Sequence, residues 1–267
     1  MADDNLFSLS GKVALVTGGN TGVGLGFANG LARAGADLAI WGRREEANEE
    51  AARKLCEHGG RVLPQVVDVA EKDQVEASFT AAVAELGRVD TVVVNAGVNS
   101  WPASFLDLTD EEYHRLLAVN QHGAFHTLRA AVAHMVARAE AGDPGGSLIT
   151  CGSASVLSGV PRIEHYSAAK GALLSMTKGL AVEYGRYGIR ANMVCPGRIR
   201  TELGGPAADA RRADEGRYEV LPIPRAGTVA DLEGIVVYLA ADCSSYHTGN
   251  LISIDGGLMV TLPGTRW

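Results

Sequence analysis

Lys12-Val-Ala-Leu-Val-Thr-Gly-Gly-Asn-Thr-Gly-Val-Gly24 is an apolar run that breaks directly into glycines. Its first six residues, Lys12 to Thr17, read as a short buried strand. Apolar residues return at Val23, Phe27 and Leu31, the i, i+4, i+8 stripe of a helix, and the stripe stops at Gly35. Gly18, Gly22 and Gly24 occupy the turn between them, spaced G-x-x-x-G-x-G, one residue longer than the common G-x-G-x-x-G. Glycines there let backbone N–H groups and the positive end of a helix approach a pyrophosphate. Any tight turn also takes glycines, so the loop alone is a weak signal. Its place between an apolar strand and an amphipathic helix is what favours a dinucleotide. The candidate contacts are Gly18, Asn20, Thr21, Gly22, Val23 and Gly24.

The same alternation runs outward from this stretch. Strands are expected at 37–41, 61–67, 89–94, 147–151, 190–195 and 251–254. Helices lie between them, with Ala47, Ala51 and Leu55 on one inner face and Val75, Phe79, Val83 and Leu86 on the next. Thr109-Asp-Glu-Glu112 is a capping box opening a long helix through Ala137, and residues 139–146 read as an extended loop. Further helices are expected at 164–187 and 229–241. Seven strands joined by helical crossovers predict an α/β, Rossmann-type doubly wound fold with helices on both faces of a parallel sheet. No Pro/Gly/Ser linker and no repeat divides the chain, so residues 1–267 read as one dinucleotide-binding and catalytic domain, with a substrate lid over about 197–227.

Composition narrows the function. Apolar residues are 46% and charged residues 21% of the 267, which excludes disorder for the bulk of the chain. With 24 basic against 31 acidic residues, net −7, there is no electrostatic footprint for nucleic acid or anionic lipid. No apolar stretch is long enough to span a membrane and no leader is visible, and Cys56, Cys151, Cys195 and Cys243 form no C-x-x-C pair. A cytoplasmic protein with reduced thiols is the expectation.

Strand ends add candidates. Asp68-Val69 closes the third strand and Asn95-Ala96-Gly97 the fourth, where ligands of open parallel sheets bind. Taken singly, these residues are ordinary turn chemistry. Tyr166-Ser-Ala-Ala-Lys170 puts a phenol and an ammonium one helical turn apart, Ser153 lies just past the fifth strand, and Asn120 sits inside a helix where an amide is unusual. A bare Tyr-x-x-x-Lys is often a solvated helix face, but that reading does not explain its coincidence with the glycine loop and Ser153.

Together these motifs closely resemble the short-chain dehydrogenase/reductase family, from Leu9 to about Gly257. Pro196-Gly197 with Ile199 and Thr201, and Asp255-Gly256-Gly257, extend the match. Val94, where an Asn is frequent, Thr21, where many NADP-binding members carry a basic residue, and the 139–146 stretch are departures. The resemblance implies a catalytic set of Asn120, Ser153, Tyr166 and Lys170. Tyr166 would exchange a proton with the substrate oxygen, its pKa lowered by Lys170; Ser153 would hold that oxygen; Lys170 would also bind the nicotinamide ribose; Asn120 would support a water relay. It also implies a homotetramer through the helices around 109–137 and 164–187, with His122, Phe125 and Leu128 at an interface.

The second strand ends Ile40-Trp41-Gly42-Arg43-Arg44. Gly42 stands where NAD-preferring members carry an acid for the adenosine ribose, and Arg43 and Arg44 offer guanidinium groups to a 2′-phosphate. NADP is therefore the expected cofactor, with NAD as the alternative. The alternative for the arginines is a pair of solvated charges opening a Glu-rich helix. The expected reaction is NADPH-dependent reduction of a ketone of 3-oxoacyl type; the alternatives are an NAD-dependent sugar or polyol dehydrogenase and a non-catalytic dinucleotide-binding regulator. Trp101, residues 156–162 and His165 are candidate pocket walls. No metal is expected: His122 and His126 share a helix without a third ligand. Ser153 lacks the G-x-S-x-G elbow of a hydrolase.

Overall fold

The structure, a computed structural model, describes residues 5–201 and 221–261. Seven strands form one sheet: β1 (Val13–Thr17), β2 (Asp37–Gly42), β3 (Val62–Val66), β4 (Thr91–Val94), β5 (Gly146–Cys151), β6 (Ile189–Pro196) and β7 (Leu251–Ile254). Their order is β3-β2-β1-β4-β5-β6-β7 and every pairing is parallel. The chain winds one way from β1 to β3 and the other way from β4 to β7, so a crevice opens between the carboxyl ends of β1 and β4.

Parallel strands covered on both faces must be apolar on both, and these are. Val92 and Leu148 enter one core cluster; their neighbours Val93 and Ile149 enter the other, on the opposite face. Among the described residues the covering helices are α1 (Gly22–Arg33), α2 (Glu45–Cys56), α3 (Lys72–Leu86), α4 (Asp110–Leu117), α5 (Ala124–Glu140), α6 (Glu164–Tyr184) and α7 (Glu233–Ala240). Between α4 and α5 the turn Ala118–Gly123 is a π-helix, continuous with both. Thr109 caps α4, its hydroxyl accepting from the Glu112 N–H at 3.2 Å.

Some expectations are corrected. The α5 helix runs to Glu140, so the loop before β5 is shorter than 139–146. The buried face of α2 is Asn48, Ala51, Ala52 and Leu55, with Ala47 turned partly outward. Leu128, expected at an interface, is 2% exposed and packs within this chain's own core. Residues 202–220 of the expected lid lie outside the described residues; its described flanks, Gly197–Thr201 and Leu221–Gly227, meet at an Ile199–Gly227 bridge.

Two glycines set the seat of α1. A Cβ at Gly26 would stand 2.7 Å from the Val229 carbonyl oxygen, and one at Gly30 would stand 2.9 Å from the Glu233 Cα. Backbone thus meets backbone where α1 crosses the start of α7. Asn29 and Arg33 both bond the Glu233 carboxylate, at 2.7 and 2.8 Å.

Candidate active site

The crevice at the β1/β4 switch is a cleft of about 910 Å³. Its floor is the turn from β1 into α1. Gly18 and Gly22 have φ of +64° and +54°, which side chains resist. A Cβ at Gly24 would collide with the Gly18 carbonyl and the Asn95 amide. Thr17 ties this turn to β4: its hydroxyl accepts from the N–H groups of Asn95 and Ala96 at 2.9 and 3.0 Å, and Asn95 Nδ2 donates to the Thr17 carbonyl. Thr21, at the N-cap of α1, makes no side-chain cap bond, so the first-turn N–H groups remain for a ligand. Such a tight cradle, floored by N–H groups, fits a dinucleotide pyrophosphate.

The cleft brings together the residues of the glycine turn, Arg43 and Arg44 after β2, Asp68 and Val69 after β3, and Asn95, Ala96 and Gly97 after β4. Ser153, Tyr166 and Lys170 also line it, with Pro196, Gly197, Ile199 and Thr201 after β6. Arg43 and Arg44 are exposed; Arg43 Nη1 lies 3.9 Å from Asp68 Oδ2 across the mouth.

Asn120 sits apart. It is fully buried in the π turn, behind the cleft wall. Its Oδ1 accepts from the Val98 N–H and its Nδ2 donates to the Val98 carbonyl, both at 2.8 Å. Each end of the amide is thus tied to the Val98 peptide, which fixes its orientation behind the wall.

Ser153 Oγ accepts from both the N–H and the hydroxyl of Ser155, at 3.2 and 3.0 Å, so its own hydrogen points elsewhere, to the Tyr166 oxygen. Lys170 is 3% exposed; its Nζ donates to the Cys151 carbonyl at 2.8 Å and lies 5.8 Å from the centre of the Tyr166 ring. The expected lowering of the Tyr166 pKa by Lys170 is not what this geometry gives. Burial pushes the phenol above its ordinary value, and a hydrogen bond from Ser153 pulls partly back. Burial also lowers Lys170 itself. The ammonium is turned to a carbonyl and is itself desolvated.

Of the expected walls, Trp101 lines the cleft, whereas residues 156–162 and His165 do not. His165 is 2% exposed and backs the cleft through Ser100, whose hydroxyl is 2.9 Å from Nε2. Sequence reasoning missed Ser100, Asn99 and Arg115 of α4, which also line the cleft, and Asn48, buried beneath its outer end. The signal for Asn48 was present: it is an amide on the apolar stripe of an otherwise charged helix. Among the described residues no three His, Cys, Asp or Glu side chains cluster as a metal site, and no helix is long and apolar enough to cross a membrane.

Comparison with known proteins agrees with the cleft. A family model described as Enoyl-(Acyl carrier protein) reductase matches residues 18–259. The L-rhamnose 1-dehydrogenase (NAD(P)(+)) of Sphingomonas sp. (strain SKA58) is 34% identical over 95% of this chain and 98% of its own length. A short-chain type dehydrogenase/reductase from Mycobacterium marinum superposes with a TM-score of 0.87 at 40% identity, covering 95% of this chain and 97% of that one. A gluconate 5-dehydrogenase from Burkholderia cenocepacia J2315, solved with NADP and tartrate, gives 0.89 at 35% identity, covering 97% and 99%. The sheet order, the glycine cradle and near full-length likeness lead to one family: this chain belongs to the short-chain dehydrogenases/reductases, oxidoreductases that move a hydride between a nicotinamide cofactor and a carbonyl or secondary alcohol.

Proposed function

We propose that this enzyme prefers NADP(H) and reduces a ketone of 3-oxoacyl type, with the whole chain acting as one dinucleotide-binding and catalytic domain. The observation that carries the cofactor preference is the end of β2, where Gly42 brings no carboxylate and exposed Arg43 and Arg44 follow at the cleft mouth. A guanidinium pairs well with a phosphate monoester, and an acid there would repel it. The cofactor, when bound, supplies or accepts the hydride.

The chain's own groups manage the oxygen and its proton. Tyr166, held protonated by burial, gives its hydrogen to the carbonyl oxygen in reduction and takes it back in oxidation. Ser153 turns the hydrogen it gives Tyr166 to the same substrate oxygen. Lys170 would hold the ribose hydroxyls of the bound cofactor, and Asn120 would support a water relay to Lys170. A second reading, a sugar or polyol as substrate, is favoured by Trp101 beside Asn99 and Ser100 in the cleft wall: an aromatic plane next to polar groups suits a polyhydroxylated ring.

We also propose a homotetramer in the cytoplasm. Tyr113 on α4 and Phe125 on α5 are 38% and 45% exposed, apolar surface suited to a second copy. The four cysteines are unpaired, which suits a reducing compartment. The test is kcat/KM with NADPH and NADH on a panel of ketones and sugars. NADPH is expected to win, and Arg43→Ala to lower its value about tenfold. A preference for NADH, or an unchanged NADPH value in Arg43→Ala, overturns the reading.

A further inference from the structure

Beneath the outer end of the cleft, two amides form a relay that starts on the sheet. Asn48, on the first turn of α2, is 1% exposed. Its Nδ2 donates to the carbonyl of Gly42 at the end of β2 and to that of Gln65 in β3, both at 2.9 Å. Gln65 is itself fixed, its side chain accepting from Trp41 Nε1 at 2.7 Å and donating to the Ser78 carbonyl at 3.1 Å. Both N–H groups of Asn48 are therefore spent on acceptors that cannot become donors. Turning this amide over would set its oxygen against two carbonyl oxygens, so its orientation is dictated by the backbone.

The consequence passes to the cleft. Asn48 Oδ1 faces Asn20 at 2.6 Å, and only an N–H can meet it there, so Asn20 must present Nδ2. One of the two Asn20 hydrogens goes to Asn48. The other has no partner among the described residues, and Asn20 lines the cleft together with Arg43 and Arg44. Two strand carbonyls thus fix, through two amides, an N–H donor beside two guanidinium groups.

The relay also accounts for Gly42. A Cβ at that position would run into Asn20 Nδ2 and Asn48 Oδ1, and would lie 2.7 Å from Asn20 Cγ. Gly42 has no left-handed backbone conformation to require a glycine. The side-chain space itself is filled, so the ordinary site of a ribose-gripping acid is blocked as well as vacated.

We infer that Asn48 is a specificity-determining positioning residue: it holds Asn20 as a hydrogen-bond donor toward a phosphate monoester on the adenosine ribose, and the amide pair excludes the carboxylate that would select a free ribose. The inference rests on the NADP(H) reading above. Asn48 touches no ligand and acts through Asn20.

Isothermal titration with 2′,5′-ADP and 5′-AMP isolates the 2′-phosphate, the one group by which these probes differ. Wild type binds 2′,5′-ADP more tightly. In Asn20→Ala the ratio of the two affinities falls about tenfold, the value of one hydrogen bond to a charged group. Asn48→Ala moves the ratio the same way and lowers the thermal midpoint as well, because the Gly42 and Gln65 carbonyls each lose a buried donor. Asn20, half-buried at the cleft wall, can be removed without opening the core, so its variant is the decisive one. Equal binding of both probes by wild type overturns the NADP(H) reading itself. Discrimination in wild type that survives in Asn20→Ala overturns the relay and leaves that reading standing. A parallel loss of both probes in Asn20→Ala reduces the amides to scaffolding and likewise overturns the relay.

Discussion

Asn120 and Val98 exchange a complete pair of hydrogen bonds, each 2.8 Å long, between one side-chain amide and one peptide unit. The pair pins the chain after β4, which carries Asn99, Ser100 and Trp101 into the cleft, to the π turn. Asn120→Ala removes both bonds, leaving the Val98 groups without a partner. Urea unfolding is expected to show a loss of about 2 kcal/mol, together with a raised KM for substrate. Unchanged stability would mean that water replaces the amide at no cost.

Tyr166→Phe keeps the ring and loses only the transferable proton. Cofactor binding is expected to persist while turnover falls by about two to four orders of magnitude, the usual worth of a general acid. Lys170→Met is expected to damage both, since Lys170 lines the cleft. Near-normal turnover in Tyr166→Phe removes that residue from the chemistry.

The ionisation of Tyr166 has a direction that can be read optically. Burial holds its pKa above the ordinary 10, so the phenol keeps its proton across the neutral range. Reduction is then insensitive to pH near neutrality, while oxidation gains as the solution becomes alkaline. The phenolate absorbance of the cofactor-free protein, wild type minus Tyr166→Phe, should rise only above pH 10. Ser153→Ala should move it higher still, because the Ser153 bond is what pulls the value down. A phenolate forming near neutral pH in the cofactor-free protein contradicts this account.

Arg225 grips Asp231 with two bonds of 2.7 Å, and the Thr228 N–H adds a third at 2.7 Å. These partners hold the Asp231 carboxyl well below the usual carboxylate range. A carboxylate with a depressed folded pKa contributes stability in full above its unfolded value of 3.8, and the contribution drains away as the pH falls below it. Both side chains are substantially solvated, so water screens the ion pair and leaves it a small share. The cap itself contributes about 1 kcal/mol. Asp231→Asn should melt below wild type at neutral pH and converge with it in acid. A gap in melting temperature that persists in acid would locate the effect elsewhere.

What sequence could convey depended on whether side-chain type mattered to the position. The strands were legible because parallel strands buried on both faces read as near-continuous apolar runs, as Val92-Val-Val94 does. The glycine turn and Tyr166-x-x-x-Lys170 were legible because their chemistry needs those residue types at that spacing. The π turn left no such trace: one extra residue in a helix changes the bonding pattern without changing composition. Burial was also opaque where neighbours decide it. Leu128 looked like interface and lies in the core. The direction of the Tyr166 shift depended on desolvation, which a spacing of four residues does not encode.

At Gly26 and Gly30 the α1 helix contributes no side chain of its own, so its backbone lies directly against Val229 and Glu233. That seat sets where the glycine turn at the leading end of α1 stands, and the Thr228–Asp231 cap holds the segment facing it. A methyl group at Gly26 would act as a wedge, prising α1 from its seat and misaligning the N–H groups at its tip. Alanine at Gly26 should therefore weaken cofactor binding from the side of the helix turned away from the cleft.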